Sequence, residues 1–408
     1  MGPTALFDKS FLHGISIDES VWFDHFFSVN VCPIFYAETQ ADLAKDCGDR
    51  TPEEYVQIIA SKFPDSGAPN SHHVRICAAN LMGESVPFTS QIILPAGGEG
   101  LISARRVGVL PESPESKAFL RWSTEEFQDE ERAYAKQWRE MASTNISPQL
   151  IDRLTSEGAF QDRKMSSLED VRAAADEVMD RLSPPEQLVY AMSLLQTHET
   201  LHDRIIERFD NAGRPDIRSF APYAAFCLRI ELFFHIAVHK SRIGPSSKLD
   251  ITYLFYLPFC DFFVSKDWVH RECSPLFVRP EQEFVYGPDL KASLAALDAR
   301  YSAMPDADKK SIYEIATQPP KDDDGLVTQL WDRHWPKWRE LREEKPNNPK
   351  SYDWLMNQGD ALNRILKTGT KTPMDPTGMP DAICRPYTVR VKKGKWWQVP
   401  ESLRRRKE

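Results

Sequence analysis

The segment Asp250-Ile-Thr-Tyr-Leu-Phe-Tyr-Leu-Pro-Phe-Cys-Asp-Phe-Phe-Val-Ser-Lys-Asp267 constrains this chain more than any other. It reads as a short apolar helix over about 250–259 and a short apolar strand, Asp261–Ser265, with a carboxylate at each outer end. In an α/β layer a helix runs back against the strands, so a helix start and the finish of the next strand share an edge. At about 1.5 Å per helical residue and about 3.3 Å per strand residue the two lengths nearly match. Asp250 and Asp267 are therefore expected together at the carboxyl edge of a sheet, where open α/β sheets place their sites.

The N-terminal segment leads to the same edge. Thr4-Ala-Leu-Phe-Asp8 is a minimal buried strand ending in an acid, and Lys9-Ser10-Phe11-Leu12 fits a helix start. Glu38 and Asp42 lie four residues apart after Asn30-Val-Cys-Pro-Ile-Phe-Tyr, a spacing that puts both carboxylates on one helical face. Converging carboxylates repel one another, and burial strengthens the repulsion. A divalent cation relieves it, and hard oxygen ligands suit Mg²⁺ or Mn²⁺.

This ordered set resembles the PIN-domain nuclease family. That family's pattern is an acid after the first strand, an acid on an early helix, an acid opening a late helix, and a Ser/Thr-x-Asp after the strand that follows. Asp8, Glu38, Asp250 and Ser265-Lys-Asp267 hold those places, and Ser10 fits the family's Asp-x-Ser/Thr/Asn. The resemblance covers roughly residues 4–45 and 220–295 and leaves out the roughly 170 residues between. It implies a three-layer, Rossmann-like α/β core with a parallel sheet, and a metal-dependent phosphodiesterase acting on RNA, less often DNA. By the same resemblance Asp8, Glu38, Asp250 and Asp267 are the catalytic metal ligands for one or two Mg²⁺ or Mn²⁺ ions. Ser10, Ser265 and Asp42 then support them, and Lys9 or Lys266 contacts phosphate.

A chain of 408 residues with 41% hydrophobic content has room for two or three domains. The sequence divides into a discontinuous core (1–50 and 220–300), a mainly helical insertion (51–219) suited to gating or a protein partner, and a C-terminal extension (301–408). The net charge of −9 is not that of a bulk polyanion binder. From Arg385 onward, however, nine basic residues face only Glu401 and Glu408. Such a tail suits the delivery of nucleic acid to an acidic pocket. Within it, Trp396 and Trp397 are placed to stack bases while Lys392, Lys393 and Lys395 hold phosphates. The alternatives are a solvated arm or a protein contact. Seven scattered cysteines without a Cys-x-x-Cys pair argue for a reducing, cytoplasmic setting and against a disulfide framework. The N-terminus does not read as a signal peptide, and no apolar run reaches the roughly 20 residues of a membrane span. Self-association stays open.

Further elements follow from caps and periodicity. Helices are expected over 17–28 with a cap near Asp18, 51–62 after Thr51-Pro, from Ser123, from Ser147, from Ser167-Leu-Glu-Asp, over 185–197, over 222–240 and over 288–301. Val74–Asn80, Ser90–Leu94 and Val107–Leu110 read as strand or ordered loop, His72-His73 as loop surface, and Leu276–Val278 and Gln282–Tyr286 as closing strands. Asp261 opens its strand and belongs at the opposite edge from Asp267.

Two rival motifs remain. His198-Glu199-Thr-Leu-His202 matches the zincin pattern, which needs both imidazoles on one helical face and would make the chain a zinc peptidase. Glu231, His235 and His239 form a stripe on a core helix leading towards Asp250. A non-catalytic nucleic-acid- or protein-binding scaffold of the same fold is the remaining alternative.

Overall fold

The computed structural model describes residues 2–45, 48–95, 97–102, 105–110, 113–142, 165–305, 308–340, 372–373, 382–384 and 389–404. It is an α/β fold built on a five-stranded, all-parallel sheet. In chain order the elements begin with β1 (Thr4–Phe7), α1 (Lys9–Gly14), α2 (Ile17–Phe26), β2 (Ser28–Val31), α3 (Pro33–Ala41), α4 (Pro52–Lys62), β3 (Ala68–Pro69) and α5 (His73–Leu81). Next come β4 (Gly98–Ile102), β5 (Arg105–Val109), α6 (Pro114–Ser123), α7 (Asp129–Ala142), α8 (Leu168–Arg181), α9 (Pro184–Leu194), α10 (His202–Asn211), α11 (Ile217–Phe220) and α12 (Pro222–His239). The chain continues through α13 (Lys248–Tyr253), β6 (Phe262–Ser265), α14 (Trp268–Cys273), β7 (Glu283–Tyr286), α15 (Gly287–Ser302), α16 (Ile312–Ile315) and α17 (Leu326–His334). Its last elements are β8 (Thr372–Pro373), β9 (Ala382–Cys384), β10 (Lys392–Lys393), β11 (Trp396–Trp397) and α18 (Glu401–Arg404).

The central sheet runs β3-β2-β1-β6-β7. Its strands are short and apolar because helices cover both faces, so alternation with polar residues is not required. All four residues of β6 are buried. From β1 the chain builds outward to β2 and β3, and much later returns beside β1 with β6 and β7. The order therefore reverses between β1 and β6, and the crevice at their carboxyl ends is the topological switch point. Register puts Phe7 opposite Val264 and Leu6 opposite Asn30. A second, four-stranded sheet runs β8-β4-β5-β9.

Several expected elements differ. The cap of α2 is Ser16, in a capping box with Glu19, rather than Asp18. Residues 73–81 form α5, with His72 as its cap, where a strand or loop surface was expected. Of the other two candidate strands there, 107–110 falls on β5, whereas 90–94 adopts no strand. Ser123 ends α6 instead of opening a helix, and the charged helix α7 starts at Asp129. The apolar helix before β6 is α-helical only to Tyr253 and continues as a 3₁₀ turn through Phe259, which places Pro258 where no i→i−4 bond is lost. Leu276–Val278 forms no strand: Leu276 ends a 3₁₀ turn that starts at Ser274, and Phe277 and Val278 follow it as turn and irregular chain. The helix expected from Ser147 lies outside the described residues. Other expectations hold closely: α4 starts at a Thr51–Glu54 capping box, α8 at a Ser167–Asp170 box, and α12 spans the predicted buried helix.

Much of the described chain outside the central sheet shares its core. Strand β3 lies within 51–219 yet pairs with β2, and one hydrophobic cluster runs from Ala5 to Trp396. At its centre Phe7 packs on Phe35 with ring centroids 4.8 Å apart. Trp22 stacks on Tyr301 at 4.5 Å and meets Trp396 edge-on at 4.9 Å.

The candidate acidic site at the sheet edge

Asp8 follows β1 and caps α1, its Oδ1 accepting from the Phe11 amide at 2.9 Å. Asp267 follows β6 and caps α14, accepting from the Val269 amide at 2.7 Å. Both acids thus perform ordinary capping, and both do so at the switch point. Asp250 lies in the first turn of α13. Glu38 lies on α3, which leaves the neighbouring strand β2. Asp261 accepts from the Thr4 amide at 2.7 Å, at the opposite edge, as its place before β6 requires.

The electrostatics tie the four acids together. Burial, followed by the charges of Asp267, Glu38 and Asp8, pushes the Asp250 carboxyl up to about 7, against the opposing pull of His270. Groups far apart would not perturb one another so. The Asp250 carboxylate accepts no hydrogen bond among the described residues, whereas its neighbours are held. Tyr253 donates its hydroxyl to Glu38 Oε2 at 2.7 Å. Lys9 Nζ lies 3.1 Å from Glu38 Oε1 and 2.7 Å from Asp42 Oδ2. Burial disfavours the Lys9 ammonium, but these two carboxylates outweigh it and raise its pKa. Lys9 is therefore an internal counter-ion here and not a free phosphate contact.

His270 is the residue that sequence reading missed. It is 1% exposed, with Nδ1 2.9 Å from Ser265 Oγ and 3.4 Å from Asp8 Oδ2. Its Nε2 lies 2.9 Å from the Asp250 carbonyl oxygen, which only accepts, so Nε2 carries a proton. Burial works against the imidazolium, yet Asp8 and then Asp250 raise the His270 pKa. Burial likewise works against the Asp8 carboxylate, and His270 first and Ser10 next bring its pKa below the ordinary value. Ser265 Oγ also accepts the Asp267 amide at 2.9 Å, and Ser10 Oγ accepts the Lys266 amide at 3.2 Å. The two serines lie 3.4 Å apart and join the ends of β1 and β6. The available signal was the spacing Asp267-x-x-His270, one turn into a capped helix.

A basic cluster adjoins the acids. Burial, then Lys62, Lys266, Arg50 and Lys9, depress the His13 pKa. Burial and then Lys291, with Arg50 and Lys266 adding and Glu19 opposing, lower Lys62 to about 8. Arg50 and the exposed Lys266 have no ion-pair partner among the described residues.

The expected tail interface is different. Lys393 is buried and donates to the Lys62 and Phe63 carbonyls at 3.1 and 2.9 Å. Trp396 is buried with Nε1 on Asp298 at 2.8 Å. Lys395 pairs with Asp298 at 2.6 Å, while Lys392 and Arg404 lie over the Trp397 ring. Lys393 and Trp396 are thus core residues, because the β10–β11 hairpin docks on the loop after α4 instead of extending into solvent.

The zincin-like motif is not on one helical face. His198 caps a 3₁₀ turn and bonds Thr200 at 2.8 Å, while His202 opens α10 and contacts Thr197 at 3.1 Å. Glu231 forms an ion pair with Lys248, two residues before Asp250, and lies 3.8 Å from His235.

Among the described residues no group of three or more His, Cys, Asp or Glu side chains is already gathered about one point as a cation cage. The chemistry of the donor set still fits Mg²⁺ or Mn²⁺: the four acids offer oxygen only, and Asp250 is an unpartnered carboxylate whose proton a cation would displace. No helix among the described residues is long and apolar enough to cross a membrane. No known family, curated protein or solved structure matches the chain.

Proposed function

We propose that the chain is a metal-dependent phosphodiesterase, a PIN-like nuclease acting on RNA or single-stranded nucleic acid. The observation that supports this reading is that Asp8 and Asp267 follow the adjacent strands β1 and β6 at the topological switch point, where burial and then the charges of Asp267, Glu38 and Asp8 raise the Asp250 pKa. Asp250 and Asp267, with Asp8, would hold Mg²⁺ or Mn²⁺, which when bound supplies water activation and charge stabilisation at phosphorus. The chain's own residues divide the remaining work. His270 and Ser265 fix the Asp8 and Asp267 ends of the strands, and Tyr253 fixes Glu38. Lys266 and Arg50 at the rim meet phosphate oxygens.

The test combines cleavage and calorimetry. Wild-type protein should cut single-stranded RNA only with Mn²⁺ or Mg²⁺, and Asp8→Asn and Asp267→Asn should each lose at least 100-fold. Retained metal-dependent cleavage by either variant overturns the assignment. The internal counter-ions Lys9 and His270 favour one second reading, a scaffold whose acids are neutralised without metal. Mn²⁺ calorimetry separates the two, since at 100-fold excess over Kd an ion at these acids stabilises the native state by about 2.7 kcal/mol and a scaffold shows no heat.

A further inference from the structure

Two exposed aromatic rings adjoin the Lys266-Asp267 pair, one along the chain and one across the sheet. Trp268 follows Asp267 directly, opens α14 and is 50% exposed. No other tryptophan among the described residues is exposed. Trp22, Trp122, Trp331, Trp338 and Trp396 are buried, and each donates its Nε1 to a protein acceptor. The Trp268 indole has no such acceptor and meets no other ring among the described residues. An aromatic ring left half in water is the kind that interfaces use. Tyr286 ends β7 opposite Ser265 and is 38% exposed. The next residue, Gly287, packs so closely on the chain after β6 that a Cβ there would lie 3.3 Å from the Lys266 nitrogen.

Positive charge continues from these rings. Lys266 is exposed, and its amide is held by Ser10 Oγ at 3.2 Å. Its side chain runs along α1, where a Cβ on Gly14 would lie 4.0 Å from Lys266 Cδ. At the same helix end Lys62 Nζ donates to the His13 carbonyl at 2.8 Å and Lys291 Nζ to the Gly14 carbonyl at 2.5 Å. Three lysines thus gather there, while Glu19 lies 3.5 Å from Lys291 as their carboxylate partner. Their excess charge is felt within the cluster: burial, and then Lys291 with Arg50 and Lys266, hold Lys62 below its ordinary pKa. A chain of net charge −9 has here a local reversal of sign, which an anion would relieve.

The chain itself joins both features to the acids. Lys266 and Trp268 are the two neighbours of Asp267. Helix α1 is capped by Asp8 at one end and meets the lysines at the other, about 9 Å away for its six residues.

We propose that this edge is a binding track for a single strand of nucleic acid, with one base stacked on Trp268 and the adjoining phosphates held by Lys266 and Lys291. The indole offers a flat face that any base can use, and Tyr286 offers a second ring beside it. A duplex, whose base faces are already covered, gains nothing from either ring. The inference deepens the nuclease reading, on which it rests for its ligand class, but it is measured by binding without cleavage.

The experiment titrates full-length protein in EDTA with a labelled adenylate hexamer and with its abasic counterpart, which keeps the phosphates and lacks the bases. Affinities are read by fluorescence anisotropy from about 50 to about 200 mM salt. The adenylate strand should bind at least fivefold more tightly than the abasic one. Trp268→Ala should bring it down to the abasic level with the salt slope kept, and Trp268→Phe should restore most of the difference. Lys266→Gln and Lys291→Gln should each reduce the salt slope by about 0.7 and leave the preference for bases intact. Lys266 makes no internal ion pair among the described residues, so its variant reads the slope without a cost in folding. Lys392→Gln, in the C-terminal hairpin, should change neither quantity. Equal affinity for the two strands, a preference that survives Trp268→Ala, or no binding at about 50 mM salt overturns the proposal. So does a slope loss for Lys392→Gln as large as that for Lys291→Gln. If Asp8→Asn abolishes cleavage while the Trp268 and lysine variants bind like wild type, the track fails alone. If those variants lose binding as stated while wild type shows no metal-dependent cleavage, the nuclease reading fails alone.

Discussion

Asp250 is the residue whose chemistry most reflects its neighbours. Its carboxyl is raised from an ordinary 3.8 to about 7. A carboxyl with a folded pKa above its unfolded value holds its proton longer in the native state, so native stability falls as pH rises from about 4 to about 7. Asp250→Asn should remove that slope. Relative to wild type, the variant should gain on the order of 1–3 kcal/mol between pH 5 and pH 7.5, measured by urea unfolding in EDTA. An unchanged difference would show that neither burial nor the other acids raise the Asp250 pKa. His270 acts in the reverse sense. Its raised pKa means that the Asp8 pair stabilises below the unfolded histidine value and is lost as pH rises through the folded one. At the acid end, the pair is lost as pH falls through the depressed pKa of Asp8. His270→Ala at pH 6 leaves Asp8 buried without its partner and should cost about 3–5 kcal/mol, with a smaller loss at pH 9.

Helix ends were legible where a cap and its partner lie within one turn. Thr51–Glu54 and Ser167–Asp170 satisfy each other's backbone groups locally. For α2, Ser16 and Asp18 both suit a helix start, and only the observed Ser16–Glu19 box decides between them. Ser16→Ala should therefore cost about 1 kcal/mol, read by chemical denaturation, and a neutral result would return the cap to another residue. The misread α5 is equally instructive. His73–Leu81 has β-branched residues near its start and no acidic first turn, so its propensity is weak. What makes it helical is its packing: Ile76, Cys77 and Leu81 are buried in the core, and Asn80 Oδ1 accepts from the Tyr223 amide at 2.9 Å.

Across the whole molecule, the largest revision concerns the basic C-terminal segment. Along the chain it reads as a cationic arm, but Arg390, Lys393 and Gln398 bind the loop after α4. Arg390 pairs with Asp65 at 2.8 Å, and Gln398 donates to Asp65 at 2.6 Å. Trp396→Ala should remove a core side chain and cost about 3–5 kcal/mol, seen as a lower melting temperature. A free arm would show no change. The positive charge at the surface beside the acids comes instead from Arg50, Lys266 and Lys291, three residues far apart in sequence with no charge run to announce them.

The sequence by itself determined that β1, β6 and β7 are short apolar strands, where α4 and α8 are capped, and that Asp8 and Asp267 follow strands while Asp250 lies in the first turn of a helix. These features follow from apolar runs, capping and element lengths, all properties of neighbours along the chain. Only the tertiary structure decided that β2 and β3 complete the sheet, that Lys9 and His270 neutralise part of that acidity, and that Lys393 and Trp396 of the tail are core. Each of these depends on partners 20 to more than 300 residues apart, and their pairing is selected by burial and by the cost of leaving buried charge or hydrogen-bonding groups unsatisfied.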